Sequence, residues 1–278
     1  MVVGSHSGLS RHWESGVLRS RHSERDVVAQ FIKKPGEGPA MGSATTVEDA
    51  LRTRRSCRAF LPTPVARADI EQLLALASRS ASNSNTQPWQ VHVLIGAAKQ
   101  ALSADLLCAF DAGRIEAEEY DYQPHSDQWP EPFRSRRRAF GEGLYGDTLG
   151  IARDDSAGRR RQHRRNYEFY GAPVEIILTV STAPLQGALV DAGLFLQALM
   201  LAARGIGLDT CPQASLIDFP SVVRKHVTIP DDHLIVCGVA LGHADENDRV
   251  NTQRTVREPV ESFARFYNSA ASWRKDSA

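Results

Sequence analysis

Arg54-Arg55-Ser56-Cys57-Arg58-Ala59-Phe60, followed further on by Asn85-Thr86-Gln87-Pro88-Trp89, is the stretch from which the fold of this chain is read. Arg54, Ser56 and Arg58 bring two guanidinium groups and a hydroxyl within five residues, with Arg55 beside them. Planar bidentate donors that close together suit a phosphate or another planar acceptor. The plainer reading is a helix end on the surface, where the C-terminal dipole favours cations.

Working outward, Thr46 can cap a helix, Glu48 and Asp49 favour its first turn, and Val47, Ala50 and Leu51 supply an apolar side. That helix delivers the arginine motif at its end. Pro62 and Pro64 stop any continuation. Asp69 starts a second helix with Ile70, Leu73, Leu74 and Ala77 on one face. The Ser/Asn-rich turn from Ser78 to Asn85 ends it. Val91, Val93 and Ile95 then alternate as a strand closed by Gly96. Lys99 to Phe110 reads as a helix. From about 114 to 170 the pattern is irregular, with Trp129-Pro130-Glu131-Pro132-Phe133 and the clusters Arg134 to Arg138 and Arg159 to Arg165, a composition that suits a lid. Val174 to Val180 is a continuous apolar run of strand length, and Leu234 to Leu241 is a third strand. Asp218 and Pro220 open a helix that ends before Ile229-Pro230.

Gly187 to Arg204 is the most hydrophobic segment. Its apolar residues cover nearly the whole helical circumference, interrupted by Asp191 and Gln197, and fall short of the roughly 20 that span a bilayer. An all-round apolar helix in a soluble chain has to be buried on every side.

Composition sets the outer bounds. With 278 residues, 42% hydrophobic and 24% charged, the chain has material for an ordinary globular core. Lys plus Arg equals Asp plus Glu at 33 each, so no global charge bias points to nucleic acid or an anionic membrane. Cys57, Cys108, Cys211 and Cys237 form no C-x-x-C pair and read as reduced, buried thiols of a cytoplasmic protein. Residues 1–42 read as a disordered extension, either a functional arm or sequence ahead of a start at Met41. They lack the apolar core of a secretory signal, and Glu14, Glu24 and Asp26 argue against a transit peptide.

Taken with Arg257-Glu258-Pro259 in the tail, the opening motifs resemble the nitroreductase family of FMN-dependent oxidoreductases, over most of the chain from Val47 to Phe266. The resemblance implies an α+β fold, a central mixed or antiparallel sheet flanked by helices, and a long buried helix at the interface of an intertwined homodimer. It implies FMN as cofactor and NAD(P)H as electron donor. Arg54 and Ser56, with Arg55 between them, would belong to the phosphate end, Arg257 would be a second phosphate ligand, and Arg58 would approach the pyrimidine edge. Ser82 and Asn85 resemble a flavin-contacting turn donated by the partner chain, although Ala81 stands where a proline is frequent. Cys211-Pro212-Gln213-Ala214-Ser215 would lie along the flavin with a backbone N–H near Ala214 aimed at N5. Some members carry Glu-Gly where this chain has Ala214-Ser215, so no carboxylate is assigned there. The tail from Asn247 would cross to the other subunit.

The implied reaction takes hydride from NAD(P)H and passes it to a small electron-poor acceptor such as a nitroaromatic or quinone, by turns in one slot. Reductive dehalogenation, flavin breakdown, or flavin storage without turnover are the alternatives. Three other signals are set aside. Gly141 to Gly146 spells G-x-G-x-x-G with no strand before it. The histidines show no metal spacing. The arginine clusters lack the interleaved aromatics of a nucleic-acid surface and read as a solvated lid face, some of them available to the 2′-phosphate of NADPH.

Overall fold

The computed structural model describes residues 43–116, 119, 120, 122, 128–181 and 187–267, and the segment 1–42 lies outside them. Thr46 caps the first helix: its Oγ1 accepts from the Asp49 amide at 3.0 Å and α1 runs Val47–Thr53. Arg54 is already the C-cap residue, so the arginine motif leaves the helix as extended chain. Helix α2, Arg67–Ala77, begins two residues before the expected Asp69. Asp69 lies in its first turn, where a carboxylate meets the positive end of the dipole as well as it would at a cap.

Four strands form one antiparallel sheet in the order β1-β2-β4-β3: β1 Trp89–Ile95, β2 Val174–Ser181, β3 Asp209–Gln213 and β4 His233–Gly242. Strand β3 was not expected from the sequence, because it is short, polar and contains Pro212. It lies at the sheet edge, where the missing proline N–H costs least. A register shift puts Leu178 opposite Cys237 and Thr179 opposite Ile235, leaving Val236 as the extra residue of a bulge. Its carbonyl accepts from the Tyr120 hydroxyl at 2.9 Å.

Helices cover both faces of β2, which explains its unbroken apolar run. On one face Val174, Ile176, Leu178 and Val180 pack with Leu73 of α2 and with Phe195 and Leu199 of α6, Ala188–Gly205. On the other, Ile177 packs with Leu102 and Leu106 of α3, Gly96–Asp111, and with Val223 of α7, Pro220–His226. Pro220 is the first residue of α7, while Asp218 belongs to a preceding 3-10 turn, Ala214–Asp218.

Helix α6 has 18 residues with a mean hydropathy of 1.4, long and apolar enough by those measures to cross a membrane. One face, including Ala192, Phe195 and Leu199, is in the core. The opposite face is not covered by the described residues, and Val190 is 69% exposed. Buried Asp191 acts structurally, as its carboxylate accepts from the Asn83 amide at 3.2 Å and so fixes the Ser82–Asn85 turn to the helix.

The stretch of irregular sequence pattern carries α4 at Phe133–Gly141, a π-helical turn at Glu142–Thr148 and α5 at Ser156–Arg164. A helix therefore precedes the Gly141 to Gly146 segment, where a dinucleotide fingerprint needs a strand. The tail carries α8, Val260–Phe263, with Val256, Phe263 and Phe266 exposed. Cys57, Cys211 and Cys237 are buried and unpaired as expected, but Cys108 is exposed, because it sits on the solvent side of α3.

Glu175 is fully buried in β2 and neither carboxyl oxygen makes a full hydrogen bond. Its head lies over Gly238, where an added Cβ would come within 2.2 Å of Oε1. Burial pushes the Glu175 carboxyl well above the usual carboxylate range, opposed by the charge of Lys99. The folded state therefore holds a proton that the unfolded chain releases, and stability falls as pH rises from the ordinary carboxyl range toward the folded pKa. Glu175→Gln should remove that slope, which for one group is at most about 1.4 kcal/mol per pH unit. Urea midpoints measured from pH 5 to pH 8 should show the variant gaining on the parent as pH rises.

Candidate functional site

The extended arginine motif is stitched to the sheet edge by main-chain bonds. Ser56 forms a parallel bridge with Thr210, the Cys57 amide donates to the Thr210 carbonyl at 3.0 Å, and Phe60 bridges to Ala244. Asn251 locks the motif from the other side. Its Oδ1 accepts from the Arg58 amide at 2.8 Å, and its Nδ2 donates to the carbonyls of Ala59 at 2.8 Å and Asp245 at 2.9 Å. Asn251 is buried within a 3-10 turn, Arg249–Thr252, so the residues just after it are carried to the same place as the motif.

The result is a cavity of about 630 Å³ lined by Arg52, Arg54, Arg55, Ser56, Arg58, Arg254 and Arg257, with Leu51, Phe140, Gln253 and Thr255. Its wall contains no carboxylate. Arg52 and Arg55 turn to Glu48 and Glu246 outside it. Among the described residues Arg254 and Arg257 donate to neutral oxygens alone, those of Asn251, Gln253, Thr255 and Val256. Burial first, and then the charge of Arg257, push the Arg54 guanidinium below its usual value. Facing cations without a counter-charge make a site complementary to an anion.

Arg58 and Phe140 also line a second cavity, of about 270 Å³, with Tyr145, Asn166, Tyr170, Ala214 and Ser215 among its walls. The Arg58 guanidinium lies 5.5 Å from the Phe140 ring centre, at the boundary between the two spaces. Ala214 and Ser215 open the 3-10 turn that follows β3, so their amides have no partner within it. The Ser215 hydroxyl oxygen and the Gln213 side-chain oxygen are buried without hydrogen bonds. Burial pushes the Cys211 thiol up to about 11 and the Cys57 thiol up to about 12, so neither is a thiolate nucleophile near neutral pH. Burial, reinforced by the charge of Arg160, lowers the pKa of His163 on the cavity wall and favours the neutral imidazole.

Of the residues singled out from sequence, Arg54, Arg55, Ser56, Arg58 and Arg257 meet at the first cavity, and Ala214 and Ser215 at the second. Pro212 and Gln213 lie in β3 beneath, opposite Val239 and Gly238. Ser82 and Asn85 line neither space in this chain. The Ser82 hydroxyl instead accepts from the Gln87 amide at 3.0 Å, and Asn85 has a left-handed φ of 57°. Arg254, Phe140, Tyr145 and Asn251 were not foreseen. The Arg254-x-x-Arg257 spacing was a visible signal for the first, whereas Phe140 and Tyr145 lie in a region without readable periodicity. Among the described residues no cluster of His, Cys, Asp and Glu is placed to hold a metal ion.

The arrangement is that of an α+β protein built to hold an anion beside an aromatic-walled cleft. Comparison with known proteins makes the class specific. The Nitroreductase family model matches residues 51–243. A 4-nitrobenzoate reductase of Nocardioides sp. (strain LMS-CY) is 43% identical over 227 residues, 82% of this chain and 92% of that protein. Another from Pseudomonas putida is 44% identical over 77% of this chain and 92% of its own length. Among solved structures, the FMN and NADPH-dependent nitroreductase NfnB from sphigopyxis sp. strain HMH superposes with a TM-score of 0.75 at 36% identity, covering 81% of this chain and all of that one. The FMN-dependent NfnB from Mycobacterium smegmatis, solved in complex with NADPH, gives 0.74 at 32% identity over 79% and 97% of the two chains. The chain belongs to the nitroreductase family, with its α+β fold.

Asn251→Ala should strand the Arg58 amide in a buried place and take one of the donors from the Ala59 and Asp245 carbonyls, which keep the amides of Asp245 and Asp248. A stability loss of about 2–3 kcal/mol is expected in urea denaturation.

Proposed function

We propose that this chain is an FMN-dependent oxidoreductase that takes hydride from NAD(P)H and reduces a nitroaromatic acceptor of the 4-nitrobenzoate type. The observation that carries this reading is the carboxylate-free arginine cavity joined through Arg58 and Phe140 to the cleft at Ala214 and Ser215. Its donor set fits FMN: cations for a phosphate dianion, an aromatic wall for a ring system, and main-chain donors with a buried, unbonded Ser215 hydroxyl for ring heteroatoms. When bound, FMN supplies reversible hydride acceptance, so that donor and acceptor use the same slot in turn.

Arg54, Ser56 and Arg257, joined by Arg254, would hold the phosphate. Arg58 would favour negative charge on the reduced ring and raise its potential. Arg55, bound to Glu246, would contribute its charge from behind. Pro212, Gln213, Ala214 and Ser215 would form the floor along the ring, with amides near Ala214 as the donors. With no carboxylate at Ala214-Ser215, the residues there orient and bind rather than transfer protons. Residues 114–170 would act as the lid of the domain 43–278, and residues 1–42 would remain outside it.

Ser82 and Asn85 would complete the site of a second copy in a homodimer. Support comes from the uncovered apolar residues Leu189, Val190 and Leu194 of α6 and from the exposed Val256, Phe263 and Phe266 of the tail. An apolar helix face and a nonpolar arm on one chain are what an intertwined pair would bury. Unpaired thiols, one of them exposed, support a reducing compartment and hence the cytoplasm.

Purified protein should be yellow with FMN, bleach when mixed anaerobically with NADPH, and recover its colour with 4-nitrobenzoate. A colourless protein that takes up no FMN would refute the reading. Arg54→Ala with Arg257→Ala should lower FMN affinity by at least about 100-fold, measured by flavin fluorescence, since each guanidinium–phosphate contact contributes about 1.5–3 kcal/mol. Leu194→Arg should shift the protein to monomer in sedimentation and lose FMN together with the dimer; a monomer that keeps FMN would exclude the partner's turn from the site.

A further inference from the structure

Beside the flavin cleft lies a third cavity, of about 710 Å³, whose walls carry Arg134, Arg137, Arg138, Arg153 and Arg159 against Glu142 and Asp147. Five arginines against two carboxylates leave a cationic chamber. Three of the five have visible engagements: Arg134 binds Glu131 at 3.0 Å, Arg137 lies 5.2 Å from the Trp129 ring centre, and Arg159 lies 4.8 Å from that of Tyr145. Arg138 and Arg153 have side chains that make no hydrogen bond, ion pair or ring contact among the described residues. Arg159 keeps a buried Nε without a partner.

Phe140 and Tyr145 line this chamber and also the cleft at Ala214 and Ser215, so the two spaces adjoin across these two rings. The chamber is too large for a lone carboxylate, and its size is in the usual range for a drug-sized or nucleotide ligand, about 300–1,000 Å³. A carboxylated nitroarene would be satisfied by a single bidentate arginine. A ligand with a planar base and a separate phosphate dianion uses the whole set, with aromatic rings for the base and arginines for the phosphate.

We infer that this chamber binds the adenosine 2′-phosphate end of NADPH, with Arg138 and Arg153 as its phosphate ligands, and so makes the protein select NADPH over NADH. The assignment rests on the proposed oxidoreductase reading for its biological meaning, but not for its test. Calorimetry on the protein as purified, with adenosine 2′,5′-bisphosphate and with adenosine 5′-monophosphate, requires neither bound flavin nor turnover. The bisphosphate should bind at least about tenfold more tightly, and Arg138→Ala with Arg153→Ala should remove that difference, as expected for lost charge-assisted bonds.

In steady state the same double variant should lower the ratio of kcat/KM for NADPH to that for NADH by about tenfold or more, mainly through KM. Charge reversal, Arg138→Glu, should lower it further. Equal binding of the two adenosine nucleotides by the parent would overturn the inference. So would a double variant that keeps the NADPH:NADH ratio, or one in which only the KM for 4-nitrobenzoate rises relative to that for nitrobenzene. Absence of flavin chemistry would instead count against the proposed function, leaving the nucleotide-binding result to decide this one.

Discussion

The buried amide of Asn251 holds together two segments that are far apart in the chain. Through three hydrogen bonds it fixes the arginine motif, by the Arg58 amide and the Ala59 carbonyl, to the loop that starts the C-terminal tail. Arg54 and Ser56 on one side and Arg254 and Arg257 on the other are thereby brought to one cavity. Such a junction forms only when both segments have found the sheet edge, because an unpaired amide buried there would carry the full desolvation cost. The anion site is in this sense a product of the closed fold rather than of any one motif.

Charge is distributed to match. The whole chain is formally neutral, yet one cavity wall has arginines and no carboxylate, and a neighbouring chamber is nearly as one-sided. Keeping like charges close destabilises an empty site, and the lowered pKa of Arg54 reflects part of that cost. A bound anion relieves it, so ligand binding and stability are coupled. Arg58 and Phe140 line both cavities, so the arginine cavity and the cleft at Ala214 and Ser215 adjoin.

Helix α6 would connect the proposed chemistry to the proposed assembly. Its inner face builds the core under β2, while its outer face and the exposed nonpolar tail are uncovered among the described residues. Asp191, the polar residue that breaks its apolar surface, anchors the turn bearing Ser82 and Asn85. In the proposed dimer, a second copy docking on α6 would meet a turn held to that same helix, and assembly and site completion would be one event.

Much was legible locally because the signals were local. Thr46 as a cap, the helical spacing of Ile70, Leu73 and Ala77, and the apolar runs of β2 and β4 all report interactions within a few residues or a uniform burial, and each appears where its pattern placed it. The arginine motif was equally visible as a cluster of donors. What tertiary structure alone decided was which distant groups complete it. Arg254 and Asn251 join through a buried amide, Phe140 and Tyr145 through the packing of a segment without readable periodicity, and β3 exists because β4 offers its edge to a segment with weak strand preference of its own. Local sequence sets backbone preference and donor type; the closing of long loops decides which donors share a cavity, and that depends on the whole chain at once.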